Sequence, residues 1–381
     1  MAMGDLDGDG DLDAFVANSL SQGNRIWLND GSGNFTGGGP PLGSHNSRGV
    51  ALDDLDADGD LDAFVANLNQ PGRVWINDGS GVFSDHALPI GHASHGVALG
   101  DVDADGDVDA MFANYGQGNR LWLNDGSGQF TDSLQSLGSG RTRGVALGDL
   151  DGDGDPDAFV ANRNEGNRVW RNDGSGNFAN SLQSLGNHDS LGVRLGDLDG
   201  DGDLDAFVAN RSQGNRVWVN DGSGNFADGS ALGNHRSLGV SLGDVDGDGD
   251  LDAFVANALN QGNRLWLNDG SGAFSDSTQQ IGTGKSAGVS LGDVDGDGDL
   301  DAFAANYGTN PIDRVNRAWI NLDPSAPARA GATTSPSPVD TVDVLAWHGW
   351  SGASQRDDAT SSSQTVNRWI DGMEETLLNR L

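Results

Sequence analysis

The sequence predicts an all-β fold, a seven-bladed β-propeller of four-stranded antiparallel blades, on three observations. A nine-residue acidic segment recurs seven times, with its first residue at Asp5, Asp54, Asp101, Asp149, Asp197, Asp244 and Asp293, a mean period of 48 residues. Each period holds four short apolar runs separated by turn chemistry, which is the content of one propeller blade. No stripe with a 3.6-residue period survives the glycine density, 60 residues in 381, so helices are not expected within the array.

The fourth copy shows how each element follows. Gly144-Val145-Ala146-Leu147-Gly148 leads into the acidic segment as the innermost strand, and Asp157-Ala158-Phe159-Val160-Ala161-Asn162 leaves it as the second. After a polar connection over residues 163–166, Asn167-Arg168-Val169-Trp170-Arg171 forms the third strand. The turn Asn172-Asp173-Gly174-Ser175-Gly176-Asn177 then returns the chain into an outer run that starts at Phe178, because Asn, Asp and Gly tolerate positive φ. Adjacent apolar residues in the second and third runs put hydrophobic groups on both sheet faces, as a blade packed between two neighbours requires. Trp27, Trp75, Trp122, Trp170, Trp218, Trp266 and Trp319 hold one fixed repeat position and read as inter-blade core rather than a stacking ladder for a ligand.

The two ends depart from the pattern. Met1-Ala2-Met3-Gly4 aligns with Val50-Ala51-Leu52-Asp53, so the chain begins within an innermost strand, and a fragment of a longer protein is expected. The seventh copy runs Trp319-Ile320-Asn321-Leu322-Asp323-Pro324 and lacks the hairpin turn and its outer strand. The domain reading is therefore a propeller over residues 1–322, a Pro/Ser/Thr/Ala linker over 323–338, and a helical hairpin tail over 339–381. Val339, Val342 and Leu345 define the first helix face; Val366, Trp369, Ile370, Met373, Leu377 and Leu381 define the second.

Composition limits the function. The formal charge is −36, and of 57 acidic residues only Glu165, Glu374 and Glu375 are Glu. A polyanionic partner such as nucleic acid needs a basic stripe, so none is expected. No apolar run is long enough to span a membrane and no signal-peptide pattern opens the chain. With no Cys there is no disulfide framework, thiol nucleophile or thiolate metal site.

The recurring segment Asp-x-Asp-x-Asp-Gly-Asp-x-Asp places carboxylates at positions 1, 3, 5, 7 and 9. The candidate ligands are Asp5, Asp7, Asp9, Asp11 and Asp13 in the first loop, then Asp54, Asp56, Asp58, Asp60 and Asp62, and Asp101, Asp103, Asp105, Asp107 and Asp109. The fourth and fifth loops supply Asp149, Asp151, Asp153, Asp155 and Asp157, and Asp197, Asp199, Asp201, Asp203 and Asp205. The last two supply Asp244, Asp246, Asp248, Asp250 and Asp252, and Asp293, Asp295, Asp297, Asp299 and Asp301. Hard oxygen donors in this number suit Ca2+, up to seven ions per chain, while Mg2+ demands a stricter octahedron and the absence of His and Cys argues against zinc or copper. The loop starts like an EF-hand but has Val16 where that loop needs its terminal Glu, so position 9 is expected to close the site and position 7 to offer its main-chain oxygen.

These loops, with the Phe-Val-Ala-Asn strand and the Asn-Asp-Gly-Ser-Gly-Asn-Phe turn, resemble the FG-GAP or VCBS repeats of integrin alpha-subunit propellers and bacterial surface proteins, over residues 1–322. The resemblance implies a seven-bladed propeller with calcium between the first and second strands of each blade, held by side chains of positions 1, 3, 5 and 9 and the main chain of position 7. The unfinished ends leave its ring closure open, and the tail has no counterpart in it.

In an up-and-down blade the acidic loops and the Asn-Asp-Gly turns share one rim, which is nearly invariant among the copies. The opposite rim varies, and the expected ligand face lies there, with Arg48, His95, Arg141, Arg143, His188, His235 and Arg236 as candidate contacts for a glycan or protein ligand. The expected function is a non-catalytic, calcium-binding recognition or adhesion module outside the cell or at its surface. Two alternatives are a polysaccharide-active enzyme using Glu165, Asp189 or Asp313 in the funnel, and a structural or assembly subunit engaging partners through the tail.

Overall fold

The structure, a computed structural model, describes residues 1–259, 261–308, 314–322 and 342–348. The chain divides into two compact units, Met1–Trp350 and Ser351–Leu381, and the second lies outside the described residues. Every regular element among the described residues is a β-strand, and no helix there is long and apolar enough to cross a membrane.

The repeats form four-stranded antiparallel sheets in sequence order. In the first, Ala2–Gly4 pairs with Asp13–Val16, which pairs with Arg25–Asn29 and then Phe35–Gly37. The fourth repeats this with Thr142–Gly148, Asp157–Asn162, Arg168–Arg171 and a short outer strand, Ala179–Asn180. The second and third repeats share one six-stranded sheet because Asp62–Asn77 and Phe83–Gly100 each run on unbroken. There the connection over residues 68–71 joins the ladder, Leu68 opposite Ala93 and Pro71 opposite Gly91.

The core lies between sheets, as the doubly apolar strands require. One cluster joins Met111, Ala113 and Leu121 of the third repeat to Ala158, Val160, Trp170 and Phe178 of the fourth. All seven repeat tryptophans are at most 9% exposed, which confirms them as packing residues. First and last repeats meet in the same way: Trp27 and Phe35 pack with Val294, Phe303 and Ile320. The innermost strands run side by side and leave no room for a side chain at one position. A Cβ on Gly96 would lie 3.0 Å from Arg143 O, and one on Gly144 would lie 2.9 Å from Leu191 O.

The last sheet corrects the expectation for the tail. Val342–His348, read from the sequence as helix, is a strand, and it pairs in parallel with Asn316–Leu322 where the seventh repeat lacks its own outer strand. Val342 and Val344 pack on the cluster shared by the first and last repeats. An open edge of unpaired backbone groups beside exposed apolar surface outweighs the weak helical signal of this valine-rich segment. The linker over 323–338 and the second predicted helix, with Val366, Trp369 and Leu377, lie outside the described residues.

Candidate metal centre

Each acidic loop folds around its first aspartate. In the first loop Asp5 Oδ1 accepts from Gly8 N at 2.8 Å and Oδ2 from Gly10 N at 3.0 Å, and the same pair of bonds recurs at Asp149, Asp197, Asp244 and Asp293. Position 6 is left-handed throughout, from Gly10 at φ 95° to Gly298 at φ 95°, and glycine alone adopts this without strain. Position 4 is left-handed too, yet the second and third loops place Ala57 and Ala104 there at φ 61° and 62°.

Position 9 anchors the loop to the core. Asp13, Asp62, Asp109, Asp157, Asp205, Asp252 and Asp301 are all fully buried. Asp205 accepts from Leu198 N at 3.0 Å on one oxygen and from Asn220 N at 2.8 Å on the other, and each counterpart accepts the same two bonds. Burial, partly offset by these bonds, raises the carboxyl of Asp205 to about 6 and that of Asp301 to about 7.

The asparagine that donates to position 9 also ties the repeats together. Asn220 Nδ2 donates to Leu150 O of the preceding repeat at 2.8 Å, Asn124 Nδ2 to Leu55 O at 2.9 Å, and Asn29 Nδ2 to Val294 O at 2.7 Å. The last of these joins the first repeat to the seventh, so the staples run through the whole array.

Positions 1, 3 and 9 converge. One carboxylate oxygen from each of Asp5, Asp7 and Asp13 lies within 4.8 Å of the others, as for Asp101, Asp103 and Asp109, for Asp149, Asp151 and Asp157, and for Asp197, Asp199 and Asp205. In the second loop the trio is Asp54, Asp56 and Asp58. At position 3, Oδ1 of Asp7, Asp56, Asp103, Asp151 and Asp199 is buried and accepts no hydrogen bond. Burial, then the neighbouring loop carboxylates, raises the carboxyl of Asp7, Asp56 and Asp199. Buried anionic oxygens without donors, facing two further carboxylates, are what a bound hard cation would satisfy, so these residues fit calcium. Position 7 turns away: a Cβ on Gly31 of the first hairpin turn would lie 2.5 Å from Asp11 Oδ2. The acidic loops and hairpin turns thus share a rim, as the topology predicted, and the position 7 side chain lies toward the turn.

The sequence candidates on the other rim separate into two groups. Arg48, His95 and Arg143 occupy one position at the start of adjacent innermost strands, and Arg143 Nη1 lies 3.1 Å from His95 Nδ1. Arg236 belongs to the same region, electrostatically coupled to Arg211. His188 and His235 lie instead against the third and outer strands, beside the Arg216 and Asp228 and the Arg264 and Asp276 pairs. His45 recurs beside Arg73 and Asp85, which marks this His position as a packing feature of the repeat. Arg141 is exposed and faces Glu165 at 3.8 Å.

Arg163 and Arg211 were not among the candidate contacts, yet both follow the second strand and join this charged region, Arg163 beside His95 and Arg211 beside Arg236. Arg163 binds Asp189 at 3.1 Å and Arg211 is 5% exposed. Pairing of the second strand with the innermost one is the signal that places them there. The expected funnel acids are engaged with arginines: Glu165 with Arg141 and Asp189 with Arg163, while Asp313 lies outside the described residues. A cleft of about 400 Å3 beside Trp170 holds one acid, Glu165.

The family profile for FG-GAP-like repeats matches residues 5–53, 54–112, 101–160, 149–208, 197–255 and 244–304. The chain belongs to the FG-GAP-like repeat family. No curated protein sequence matches it. Among solved structures it is similar to BBS1N in complex with ARL6DN: in a mercury-soaked crystal the identity is 14% and the TM-score 0.56, over 80% of this chain and 86% of that one. In a lead-soaked crystal they are 13% and 0.58, over 80% and 87%. At these identities the likeness establishes the β-propeller fold of the FG-GAP protein described here.

Proposed function

We propose that the protein is a non-catalytic, calcium-rigidified recognition module whose seven repeats form a seven-bladed ring. The observation that carries this reading is the converging carboxylate trio with its orphaned position 3 oxygen, repeated in loop after loop. Side chains at positions 1, 3 and 9 would hold the ion, with position 5 contributing as Asp58 does in the second loop. Calcium supplies charge neutralisation between carboxylates that otherwise repel. The chain's own residues do the rest: position 9 fixes the loop to two backbone N–H groups, and the asparagine staple passes that rigidity to the adjacent repeat.

Extracellular calcium modules bind at about 10⁻⁴ to 10⁻³ M, which favours a site of action outside the cell or at its surface. The ligand face is the rim opposite the acidic loops, where the copies differ most and the cationic side chains gather. A glycan or a protein fits that face. The complex of the structural relative with ARL6DN supports a protein partner for this fold, and the same observation supports a role as a subunit of an assembly. A glycan and protein binding screen in calcium, with product analysis, tests the reading. Calcium-dependent binding without turnover is expected, and release of cleaved saccharide would overturn it.

A further inference from the structure

The fourth repeat departs from its neighbours where the cleft beside Trp170 opens. In four other repeats the connection entering the repeat supplies a histidine, His45, His92, His188 or His235, beside an arginine of the third strand and an aspartate of the outer strand. Those pairs are Arg73 with Asp85 and Arg216 with Asp228, both at 3.1 Å, Arg264 with Asp276 at 3.6 Å and Arg120 with Asp132 at 3.8 Å. Imidazole and repeat tryptophan close over one glycine: a Cβ on Gly43 would lie 2.7 Å from His45 Nδ1 and 3.2 Å from Trp75 Cζ2. In the same four repeats a glutamine, Gln70, Gln117, Gln213 or Gln261, accepts from a backbone N–H of that connection.

All three of these residues are replaced in the fourth repeat. Gly140 stands at the histidine position, Asn180 at that of the aspartate and Glu165 at that of the glutamine. Of the described residues, only Trp170 Cζ2, at 3.3 Å, would meet a Cβ on Gly138, the counterpart of Gly43. Asn180 keeps the local bond of its counterparts, its Oδ1 accepting from Leu182 N at 2.7 Å as Asp132 does from Leu134 N at 2.8 Å, and drops only the charge. Arg168 Nη1 donates to Gln183 O at 2.8 Å and pairs with no carboxylate among the described residues. Glu165 pairs with Arg141 at 3.8 Å, both side chains about half exposed, and such exposed pairs are weak. Loss of the histidine alone would leave the arginine with its aspartate. Here a cation and an anion line one cleft without pairing to each other. At Gly284, the other copy without an imidazole, Arg317 Nη1 lies 3.3 Å from where a Cβ would stand.

We propose that this cleft binds a free α-amino acid whose side chain carries a planar ring, histidine or an aromatic one. The ring takes the place of the missing imidazole against Trp170. The carboxylate engages Arg168 as both oxygens of Asp85 engage Arg73 Nη1 at 3.1 Å, and the ammonium meets Glu165. A zwitterion thus satisfies both unmatched charges at once, and about 400 Å3 is the size of a small-ligand site. This site goes beyond the glycan or protein face proposed above and stands or falls without it.

Isothermal titration of the full calcium-loaded chain with histidine, phenylalanine, alanine, histamine and glucose tests it. One saturable site per chain for histidine or phenylalanine is expected, with alanine, which lacks the ring, and histamine, which lacks the carboxylate, at least about tenfold weaker. Asn180→Asp returns the acid that Arg168 lacks, and Gly140→His returns the imidazole, so each gives the fourth repeat what its neighbours already carry. Both should weaken the site about tenfold or more while the melting temperature holds or rises. Should Gly140→His fail to fold, Asn180→Asp alone decides. Absence of saturable binding, alanine or histamine binding as tightly as the ring-bearing acids, unchanged affinity in Asn180→Asp, or binding of glucose where neither acid binds would overturn the proposal. Each of these results would leave the recognition reading of the rim standing.

Discussion

Chelating calcium from the protein near neutral pH should bring the fold close to its limit of stability. In each trio the carboxylate oxygens lie within 4.8 Å of one another. Even at the dielectric constant of water, each like-charge pair at that separation costs about 0.9 kcal/mol, hence about 3 kcal/mol per loop. Five such loops place on the order of 10 kcal/mol in the metal-free fold, as much as the whole stability of an ordinary domain. Unfolding spreads these charges, so the penalty falls on the native state. For a propeller of this length the unfolding entropy converts such a loss into a melting shift of about 15 °C. Calorimetry with excess chelator and with millimolar calcium reads it directly. A melt that does not move would refute the reasoning, because loops that tolerate three uncompensated carboxylates have no need of a cation.

Four further outcomes follow from individual contacts. The position 9 carboxyls, raised from an unfolded value of 3.8 to about 6, and to about 7 at Asp301, stabilise the metal-free fold fully below the unfolded value and lose that contribution as pH rises through those folded values. Metal-free protein should therefore melt higher at about pH 5 than at about pH 7.5, and calcium-loaded protein should show the reverse order, by the same calorimetry. Asn124→Ala removes the side-chain bond to Leu55 O and leaves that buried carbonyl short of a donor, at a cost of about 1 to 3 kcal/mol in denaturant unfolding. Ala57→Gly relieves a left-handed alanine and should stabilise the second loop by about 1 kcal/mol, measurable as a higher denaturation midpoint. Val344→Asp puts a charge against the cluster of Trp27, Phe35 and Ile320, and should free the last strand and raise proteolysis within residues 323–348.

How much of this was legible in the sequence depends on what repeats. Seven copies of one pattern average out local ambiguity, so the strand order, the tryptophan core and the shared rim of acidic loops and hairpin turns were readable from spacing alone. The tail appears once and gave no such average. Val342, Val344 and Leu345 fit either period, and what selects the strand is the unpaired edge of Asn316–Leu322, a tertiary feature. The charged region of the other rim was half visible. Arg48, His95 and Arg143 were chosen because they vary among copies, and that logic reached His188 and His235 as well, although their side chains lie against the outer strands. Arg163 and Arg211 needed the register, Thr142 opposite Asn162 and Ser190 opposite Asn210, to place the next residue there.

Counting the ions on the intact protein tests the central claim most directly. Native mass spectrometry of chelated protein titrated with calcium should show successive additions approaching seven per chain, one for each acidic loop, with magnesium failing to match them at equal concentration. Coincident masses with and without calcium would contradict the account, since the converging carboxylates would then be turns held by their own hydrogen bonds and nothing more.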